Sequence, residues 1–227
     1  MRNVYAILRY SVGLRASILG YASTSTLEQR EFTLLFIDVL PNSLLVETVK
    51  YPIMKHLKTC IAVSLDGFIA RKDNELDWMP ENVRKEISAA YEQPSIFLAG
   101  VNTYTYIFEH WGGWPYKSKK TFVVSHYDTN VTEKENVTFL TDMPLRAVNE
   151  LKSSSETDIQ VIGGGKFITS LIEASLLDEI TLYIVPVMLG DGIKFIGKTF
   201  GSKWELTEHR MLDNQVVCLT YQYKGER

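Results

Sequence analysis

The chain has 227 residues, of which 45% are hydrophobic and 22% charged, a composition typical of one soluble globular domain with some additional sequence. Its formal net charge of −3 gives no sign of a nucleic-acid-binding groove, and no apolar run approaches the roughly 18 residues of a membrane span. Cys60 and Cys218 both fall in expected strands, so we interpret them as small core residues and expect a reducing compartment, the cytoplasm.

The N-terminal residues differ in composition from the rest. Residues 1–27 contain no Asp or Glu, while their arginines are interleaved with apolar and hydroxyl residues, as in transit-like peptides or in sequence upstream of a wrong start. Residues 32–40 could form either a strand or a short helix. We expect residues 1–53 to be a poorly ordered or non-native extension, with Met54 as the natural start of the folded domain, residues 54–227.

From residue 57 the pattern is that of an α/β protein. Residues 57–65 (LKTCIAVSL) predict a strand, and an Asp-Gly turn then leads into a short apolar run at residues 68–70. Three predicted elements follow: a helix at residues 81–91, a buried strand at residues 95–99, and a helix capped by Asn102 that runs to Phe108.

The second half of the chain continues the alternation and ends in a hairpin. The predicted elements are strands at residues 120–125, 137–140 and 159–162, helices at residues 144–152 and 166–176, a long strand at residues 179–187, and a hairpin of residues 204–212 and 215–223. In total we count about eight strands and four helices, with βα alternation early and antiparallel pairing late, which predicts an α/β fold.

Residues 158–176 carry the strongest functional signal. A β-branched strand ends at three consecutive glycines, residues 163–165, and a helical pattern follows at once. Without Cβ atoms the backbone can take positive φ and come close to an anion, while the first helix amides are free to bind it. A glycine run is by itself more often a tight turn, and both the P-loop and the dinucleotide fingerprint are incomplete, because Phe167 and Ile168 stand where they need other residues.

Four motifs resemble those of known families. Residues 161–167 (VIGGGKF) closely resemble the strand, paired glycines and helix start of dihydrofolate reductases. Residues 64–70 (SLDGFIA), the DW pair at 77–78 and residues 176–197 (LLDEITLYIVPVMLGDGIKFIG) resemble instead the reductase domain of riboflavin-biosynthesis deaminase-reductases and their stand-alone relatives. These families share one fold and use NADPH, and the resemblance covers about residues 54–223.

The resemblance implies a dihydrofolate reductase-like three-layer fold. Its central sheet is mixed and mostly parallel, has about eight strands with helices on both faces, and ends in a C-terminal antiparallel hairpin. Relatives often form homodimers, so the resemblance also implies a homodimer. It implies neither a bound metal, nor a nucleic-acid partner, nor a membrane partner.

The resemblance also implies a bed for NADPH. The cofactor-binding residues are Ala62, Ile69, Gly100, Thr103, Ser125, His126, Ile162, Gly163, Gly164, Gly165, Lys166 and Phe167. Ala62 and Ile69 would lie against the nicotinamide ring, and Ser125 would approach the 2′-phosphate. Judged from the residues alone, Thr103 is equally an ordinary first-turn helix residue and His126 a solvated turn residue.

For the substrate, the resemblance implies a flat slot walled by Phe68, Trp78 and Tyr183. The proton source is not matched, because the carboxylate position of dihydrofolate reductases falls on Val83. The candidate proton donors are therefore Asp66, Asp77 and Glu81, and an acid in a first helical turn such as Glu81 also serves the helix dipole.

Two positions separate the chain from riboflavin-type reductases. Phe68 and Ile162 stand where that family usually has a lysine and a glutamate, so the slot is more apolar and disfavours a phosphorylated sugar. We therefore predict a stand-alone NADPH-dependent reductase that transfers a hydride to a C=N or C=O bond of a small pterin- or pyrimidine-type heterocycle. Two alternatives stay open: a 5-amino-6-(5-phosphoribosylamino)uracil reductase of riboflavin biosynthesis, and a non-catalytic NADPH-binding protein.

Overall fold

The structure, a computed structural model, describes residues 7–11, 15–21, 32–40, 43–51, 55–125, 135–198, 201–213 and 215–225. It divides the chain into two compact units, Met1–Met54 and Lys55–Arg227. None of the helices in the described ranges is both long enough and apolar enough to cross a membrane.

The described part of the first unit is a four-stranded antiparallel sheet. Its strands pair in chain order and are β1 (Ile7–Ser11), β2 (Arg15–Tyr21), β3 (Phe32–Leu40) and β4 (Ser43–Tyr51). β3 and β4 pair along their whole length, so residues 32–40, which the sequence left open between strand and helix, form a strand. The expectation that residues 1–53 are a poorly ordered or non-native extension stays a prediction.

The second unit alternates strands and helices and then ends in a hairpin. Its strands are β5 (Leu57–Ser64), β6 (Phe68–Ala70), β7 (Ile96–Gly100), β8 (Lys120–Val124), β9 (Val137–Leu140), β10 (Ile159–Ile162), β11 (Glu179–Val185), β12 (Ile193–Lys194), β13 (Lys203–Leu212) and β14 (Val216–Gly225). Its helices are α1 (Glu81–Glu92), α2 (Val101–His110), α3 (Pro144–Ser154) and α4 (Gly165–Glu173). The predicted elements all recur, and the differences lie at their ends; α4, for example, begins at Gly165 rather than Lys166.

Eight of these strands form one mixed sheet, as predicted, in the order β13-β14-β11-β5-β10-β7-β8-β9. Neighbouring strands from β11 to β9 run parallel, while β14 is antiparallel to β11 and β13 is antiparallel to β14. The expected C-terminal hairpin therefore forms one edge of the sheet. Because the central strands are parallel, their carboxyl ends meet at one edge, where open α/β sheets bind ligands.

Helices cover both faces of this sheet, which confirms the predicted three layers. Successive strand residues point to opposite faces. Leu98 of β7 packs in a cluster with side chains of α3 and α4, whereas its neighbours Phe97 and Ala99 pack with α2. On the α2 face, Val83 of α1 packs with Tyr183 of β11. Burial of each large apolar side chain in these clusters contributes about 1.5–3 kcal/mol to folding. The cores on the two faces therefore hold the strands, and the edge at which they end, in place.

Candidate active site

Two strand-to-helix turns lie side by side at the carboxyl edge of the sheet. Ala99 of β7 is the register partner of Ile162 of β10, so the turns into α2 and into α4 are neighbours. The N-cap residue of each helix is a glycine with extended backbone, Gly100 at φ −74° and Gly164 at φ −73°. Neither N-cap therefore has a side chain that accepts a hydrogen bond from the first helix amides. The first amides of both helices can therefore bind one anion between them.

A hydrogen bond joins the two turns. The Gly164 amide donates to Oγ1 of Thr103 at 2.8 Å. Among the described residues no group accepts from the Thr103 hydroxyl, so its proton can point at an anion. Phe167 packs against both turns from another side, since a Cβ on Gly100 or on Gly163 would lie 3.0 Å from a Phe167 carbon. Five of the expected cofactor-binding residues thus come together here.

The three consecutive glycines allow neighbouring atoms to approach the backbone closely and do not adopt a special backbone conformation. Glycine can take positive φ, but none of these three glycines does so. Gly165 is required for a different reason: a Cβ there would lie 2.0 Å from the carbonyl oxygen of Lys194 and 2.6 Å from that of Phe195. At Gly164 the described surroundings leave room, and a Cβ would meet Oγ1 of Thr103 at an ordinary 3.4 Å.

The other expected phosphate contacts are spread around this turn. Lys166 is exposed in the first turn of α4, where its ammonium group can reach an anion. Ile162 is buried and so offers its backbone rather than its side chain. Ser125 is 1% exposed, and its assignment to the 2′-phosphate stays a prediction. His126 lies outside the described residues.

The first strand of the second unit, β5, lies next to the strand that leads into the glycine turn. β5 pairs directly with β10, and Ala62 on β5 and Ile69 on β6 are both buried. β6 pairs with β12, whose Lys194 carbonyl faces Gly165, and the amide of Phe195 donates to the Gly67 carbonyl oxygen at 2.9 Å. The expected nicotinamide region and the expected phosphate region are therefore connected through β12.

The structure brings two of the three expected substrate walls together. Trp78 and Tyr183 pack in one cluster with Ala62 and Val83, between α1 and the sheet. Nε1 of Trp78 is buried and has no hydrogen-bond partner in the described part of the chain, which is uncommon for a native N–H group. Phe68 lies apart from this cluster, on β6 against Gly192.

Asp66 is held by the protein's own hydrogen bonds. The Ser64 hydroxyl donates to its Oδ1 at 2.6 Å, and the amides of Leu189 and Gly190 donate to its carboxylate at 3.1 and 2.7 Å. The Ser64 hydroxyl and these amides lower the pKa of Asp66 from its ordinary 3.8 to about 2. Asp66 is thus ionised near neutral pH and ties the β5–β6 turn to the segment after β11. As a proton donor it stays a prediction.

The other two candidate acids lie at the surface. Asp77 is exposed and accepts two hydrogen bonds from Arg71, at 2.6 and 3.1 Å, and this pairing lowers its pKa. Glu81 is exposed in the first turn of α1, where its negative charge interacts favourably with the helix dipole. Asp66, Asp77 and Glu81 do not form one cluster, and their catalytic roles stay predictions.

Several contacts at the site had no local sequence signal. Arg210 of β13 donates a hydrogen bond to Glu86 of α1, which lies 124 positions earlier in the chain. Nothing in the sequence pattern predicted this pair. It also gave no partner for Asp66 and no neighbour for Gly165. Within the described ranges, no group of His, Cys, Asp and Glu is placed to hold a metal ion.

Two cavities of the described part lie away from the glycine turn. One, of about 490 Å³, is at the opposite edge of the sheet, where β5, β10 and β11 begin. The other, of about 480 Å³, lies beside α2 and is lined by Tyr104, Phe108 and Trp114 among others. Neither of these two cavities is lined by residues of the glycine turn.

Comparison with known proteins gives a family and a fold. The model of the RibD C-terminal domain family matches residues 55–218. YyaP of Bacillus subtilis (strain 168), an uncharacterized protein, is 30% identical over 181 residues, which cover 73% of this chain and 93% of YyaP.

Two solved structures agree with this match. A Shewanella sp. PV-4 protein named for riboflavin biosynthesis superposes with a TM-score of 0.65 at 26% identity, over 74% of this chain and 99% of that one. Dihydrofolate reductase from Enterococcus faecalis, complexed with NADP(H), superposes with a TM-score of 0.56 at 16% identity, over 76% of this chain and 98% of that one. The second likeness shows that the fold is that of dihydrofolate reductases.

Proposed function

The chain belongs to the RibD C-terminal domain family, a family of reductases of the riboflavin-pathway kind, and we propose that it is an NADPH-dependent reductase. Its reaction is the transfer of a hydride to a C=N or C=O bond of a small, flat heterocycle of pterin or pyrimidine type. When bound, NADPH would supply the hydride.

One observation carries this proposal: two helices without side-chain caps begin side by side and are joined by the bond from the Gly164 amide to Thr103. A diphosphate needs several convergent N–H donors and a close approach of the backbone. The first amides of α2 and α4, the Thr103 hydroxyl and the exposed Lys166 meet both needs. These residues fit the pyrophosphate of a dinucleotide, and Gly164 leaves space for it.

The residues around Trp78 support a substrate slot next to this bed. Ala62 and Tyr183 are register partners on adjacent strands, so the expected nicotinamide contact and the expected substrate wall point to the same face. Nε1 of Trp78 has no described partner and can donate a hydrogen bond to a substrate atom. Val83 is fully buried where dihydrofolate reductases have a carboxylate, so we propose that the proton comes from another acid or from ordered water.

The second candidate is the pyrimidine reduction of riboflavin biosynthesis itself. The 26% identical Shewanella protein, which is named for that pathway, favours it. Phe68 and Ile162 are buried and apolar where this reductase usually has a lysine and a glutamate, and they favour an unphosphorylated substrate instead. Complementation of a bacterial strain that lacks the pyrimidine reductase separates the two candidates.

We also propose that residues 54–227 carry the activity by themselves. The family match begins at residue 55, and the division between the two units falls beside it. A truncated protein that starts at Met54 should fold and bind NADPH as the full chain does. Failure of this protein to fold would refute the proposed boundary, and its mass in light scattering would test the expected homodimer.

The reductase proposal is tested in two steps. NADPH and NADH are titrated by fluorescence, and pterin- and pyrimidine-type heterocycles are then screened for loss of the reduced-nicotinamide absorbance. We expect NADPH to bind and at least one heterocycle to be reduced. Tight binding with no oxidation by any of them would favour a non-catalytic NADPH-binding protein, and no binding would refute the proposal.

A further inference from the structure

The cavity beside α2 has the size and the walls of a small-molecule site. Its volume is about 480 Å³, and ligand sites in proteins span roughly 300–1,000 Å³. Three aromatic residues line it: Tyr104 and Phe108, one turn apart on α2, and Trp114 in the loop that follows this helix. The proposed reductase reaction uses none of the three.

Tyr104 carries a buried hydroxyl group without a hydrogen-bond partner. The residue is 0% exposed, and no described residue donates a hydrogen bond to its hydroxyl group or accepts one from it. Burial raises the pKa of Tyr104, so near neutral pH the group is an uncharged O–H donor. A buried polar group without a partner is costly and uncommon in native proteins. Because Tyr104 lines the cavity, a molecule held there can supply the missing acceptor.

The neighbouring aromatic rings hold the ring of Tyr104 in place. Its centroid lies 5.0 Å from that of Trp114, 5.7 Å from that of Phe139 and 6.0 Å from that of Phe108. Trp114 is held in turn, because its Nε1 donates to Oγ1 of Thr121 at 3.0 Å. Trp114 therefore offers only its ring to a ligand, whereas Tyr104 offers a polar atom at a fixed place.

The rest of the lining leaves space and adds no net charge. Gly112 and Gly113 line the cavity with φ of 76° and 114°, and a Cβ on either would meet no described atom within 4 Å. Lys117 and Glu135 also line it; both are exposed, and neither is in an ion pair with a described residue. One positive and one negative side chain balance each other, so the cavity favours an uncharged ligand.

We propose that this cavity binds a small, uncharged, flat aromatic molecule whose ring nitrogen or carbonyl oxygen accepts a hydrogen bond from the Tyr104 hydroxyl group. Aromatic rings pack favourably on one another at centroid distances of about 4.5–7 Å, and the rings of Phe108 and Trp114 line the cavity for such contacts. Apolar walls with a few polar groups that orient the ligand are typical of small-molecule sites. This site is separate from the dinucleotide bed, and it does not depend on the proposed reductase function.

Two probes of the same shape test the proposal on the full-length protein in the absence of nucleotide. Isoquinoline has a ring nitrogen that accepts a hydrogen bond and naphthalene has none, and both are uncharged near neutral pH. Their affinities are measured by ligand-observed NMR titration. We expect isoquinoline to bind saturably, and Tyr104→Phe to weaken it at least about fivefold without weakening naphthalene. An equal loss for the two probes, or no saturable binding of isoquinoline to the wild type, would overturn the inference.

Two further variants assign the binding to this cavity. Tyr106→Phe changes a tyrosine on the same helix that does not line the cavity, so it should change neither affinity. Trp78→Phe changes the proposed substrate slot and should leave the affinity for isoquinoline unchanged. Loss of isoquinoline binding in Trp78→Phe, with full binding in Tyr104→Phe, would place the probe in that slot and overturn the inference.

The stability of the ligand-free protein gives an independent readout. Because the Tyr104 hydroxyl group has no partner in the described part of the chain, Tyr104→Phe should keep the wild-type Tm or raise it. A Tm several degrees lower, with Tyr106→Phe unchanged, would mean that the hydroxyl group already has a partner inside the protein and would overturn the inference. Circular dichroism of each variant checks that the fold is intact.

Discussion

The glycine turn after β10 and the acidic turn after β5 lie at the same edge of the sheet but use backbone amides in opposite ways. At the glycine turn both N-cap residues are glycines, and the amide of Gly164 donates a hydrogen bond to the Thr103 hydroxyl oxygen. At the acidic turn the carboxylate of Asp66 accepts hydrogen bonds from the amides of Leu189 and Gly190. The protein thus leaves donors for an anion at one turn and supplies its own anion at the other.

This difference separates a proposed binding role from a structural one. Both turns combine glycine with a polar residue in sequence, and both were candidates for function. Near neutral pH, Asp66 is already ionised and already has its donors, so it stabilises the segment after β11. We propose instead that the first amides of α2 and α4 at the glycine turn bind an outside phosphate.

The largest effect should come from Gly165→Ala. A Cβ at this position would lie 2.0 Å from the carbonyl oxygen of Lys194, so the start of α4 or the segment after β12 must move. Overpacking of this kind costs about 3 kcal/mol, which lowers the Tm of a domain this size by roughly 6–12 °C. Gly164→Ala is the matched control and should lower Tm by only roughly 2–4 °C, because alanine at an N-cap costs about 1 kcal/mol relative to glycine. An equal Tm in both variants would mean that the glycines are interchangeable.

Gly164→Val should separate binding from folding. The extended backbone of Gly164 accepts a β-branched residue, and its Cβ would meet only Oγ1 of Thr103, at 3.4 Å. An apolar residue at this N-cap costs about 1 kcal/mol, so we expect Tm to fall by only roughly 2–4 °C. The valine methyl groups would occupy the space that we propose for the pyrophosphate, and the NADPH affinity should fall at least about tenfold. Gly197→Val, at a position with open space in the described surroundings, is the control. Unchanged NADPH affinity in Gly164→Val would count against the proposed site.

The sequence predicted the elements better than the contacts between them. Period-2 and period-3.6 patterns located the eight strands and four helices, and the glycine turn was visible because strand, glycines and helix are contiguous. By contrast, Asp66 meets its partners across 123 positions, and Gly165 meets Lys194 across the sheet edge. Such contacts depend on tertiary packing and leave no local pattern, so the need for glycine was predicted but its physical reason was not.

The acidic turn should reveal itself in the acid stability of the protein. The pKa of Asp66 is lowered from 3.8 to about 2 in the folded state, so its carboxylate stabilises the fold fully above about pH 4. That contribution is lost as the pH falls from about 4 to 2. Asp66→Asn removes the charge at every pH, so it should lower Tm at pH 7 and flatten the fall of Tm between pH 4 and pH 2. Asp142→Asn, at an exposed turn position, is the control, and a parallel acid profile in Asp66→Asn would contradict the structural role.

The smallest effect should come from the bond that joins the two helix starts. Thr103→Val keeps the shape of the side chain but removes the acceptor of the Gly164 amide. Loss of one such hydrogen bond costs about 1 kcal/mol, which corresponds to a fall in Tm of roughly 2–4 °C. Thr103→Ser keeps the hydroxyl and should retain the wild-type Tm. Because the same hydroxyl is proposed to face the phosphate, NADPH affinity should fall severalfold in the valine variant and stay near the wild-type value in the serine variant. An unchanged NADPH affinity in the valine variant would contradict the proposed contact.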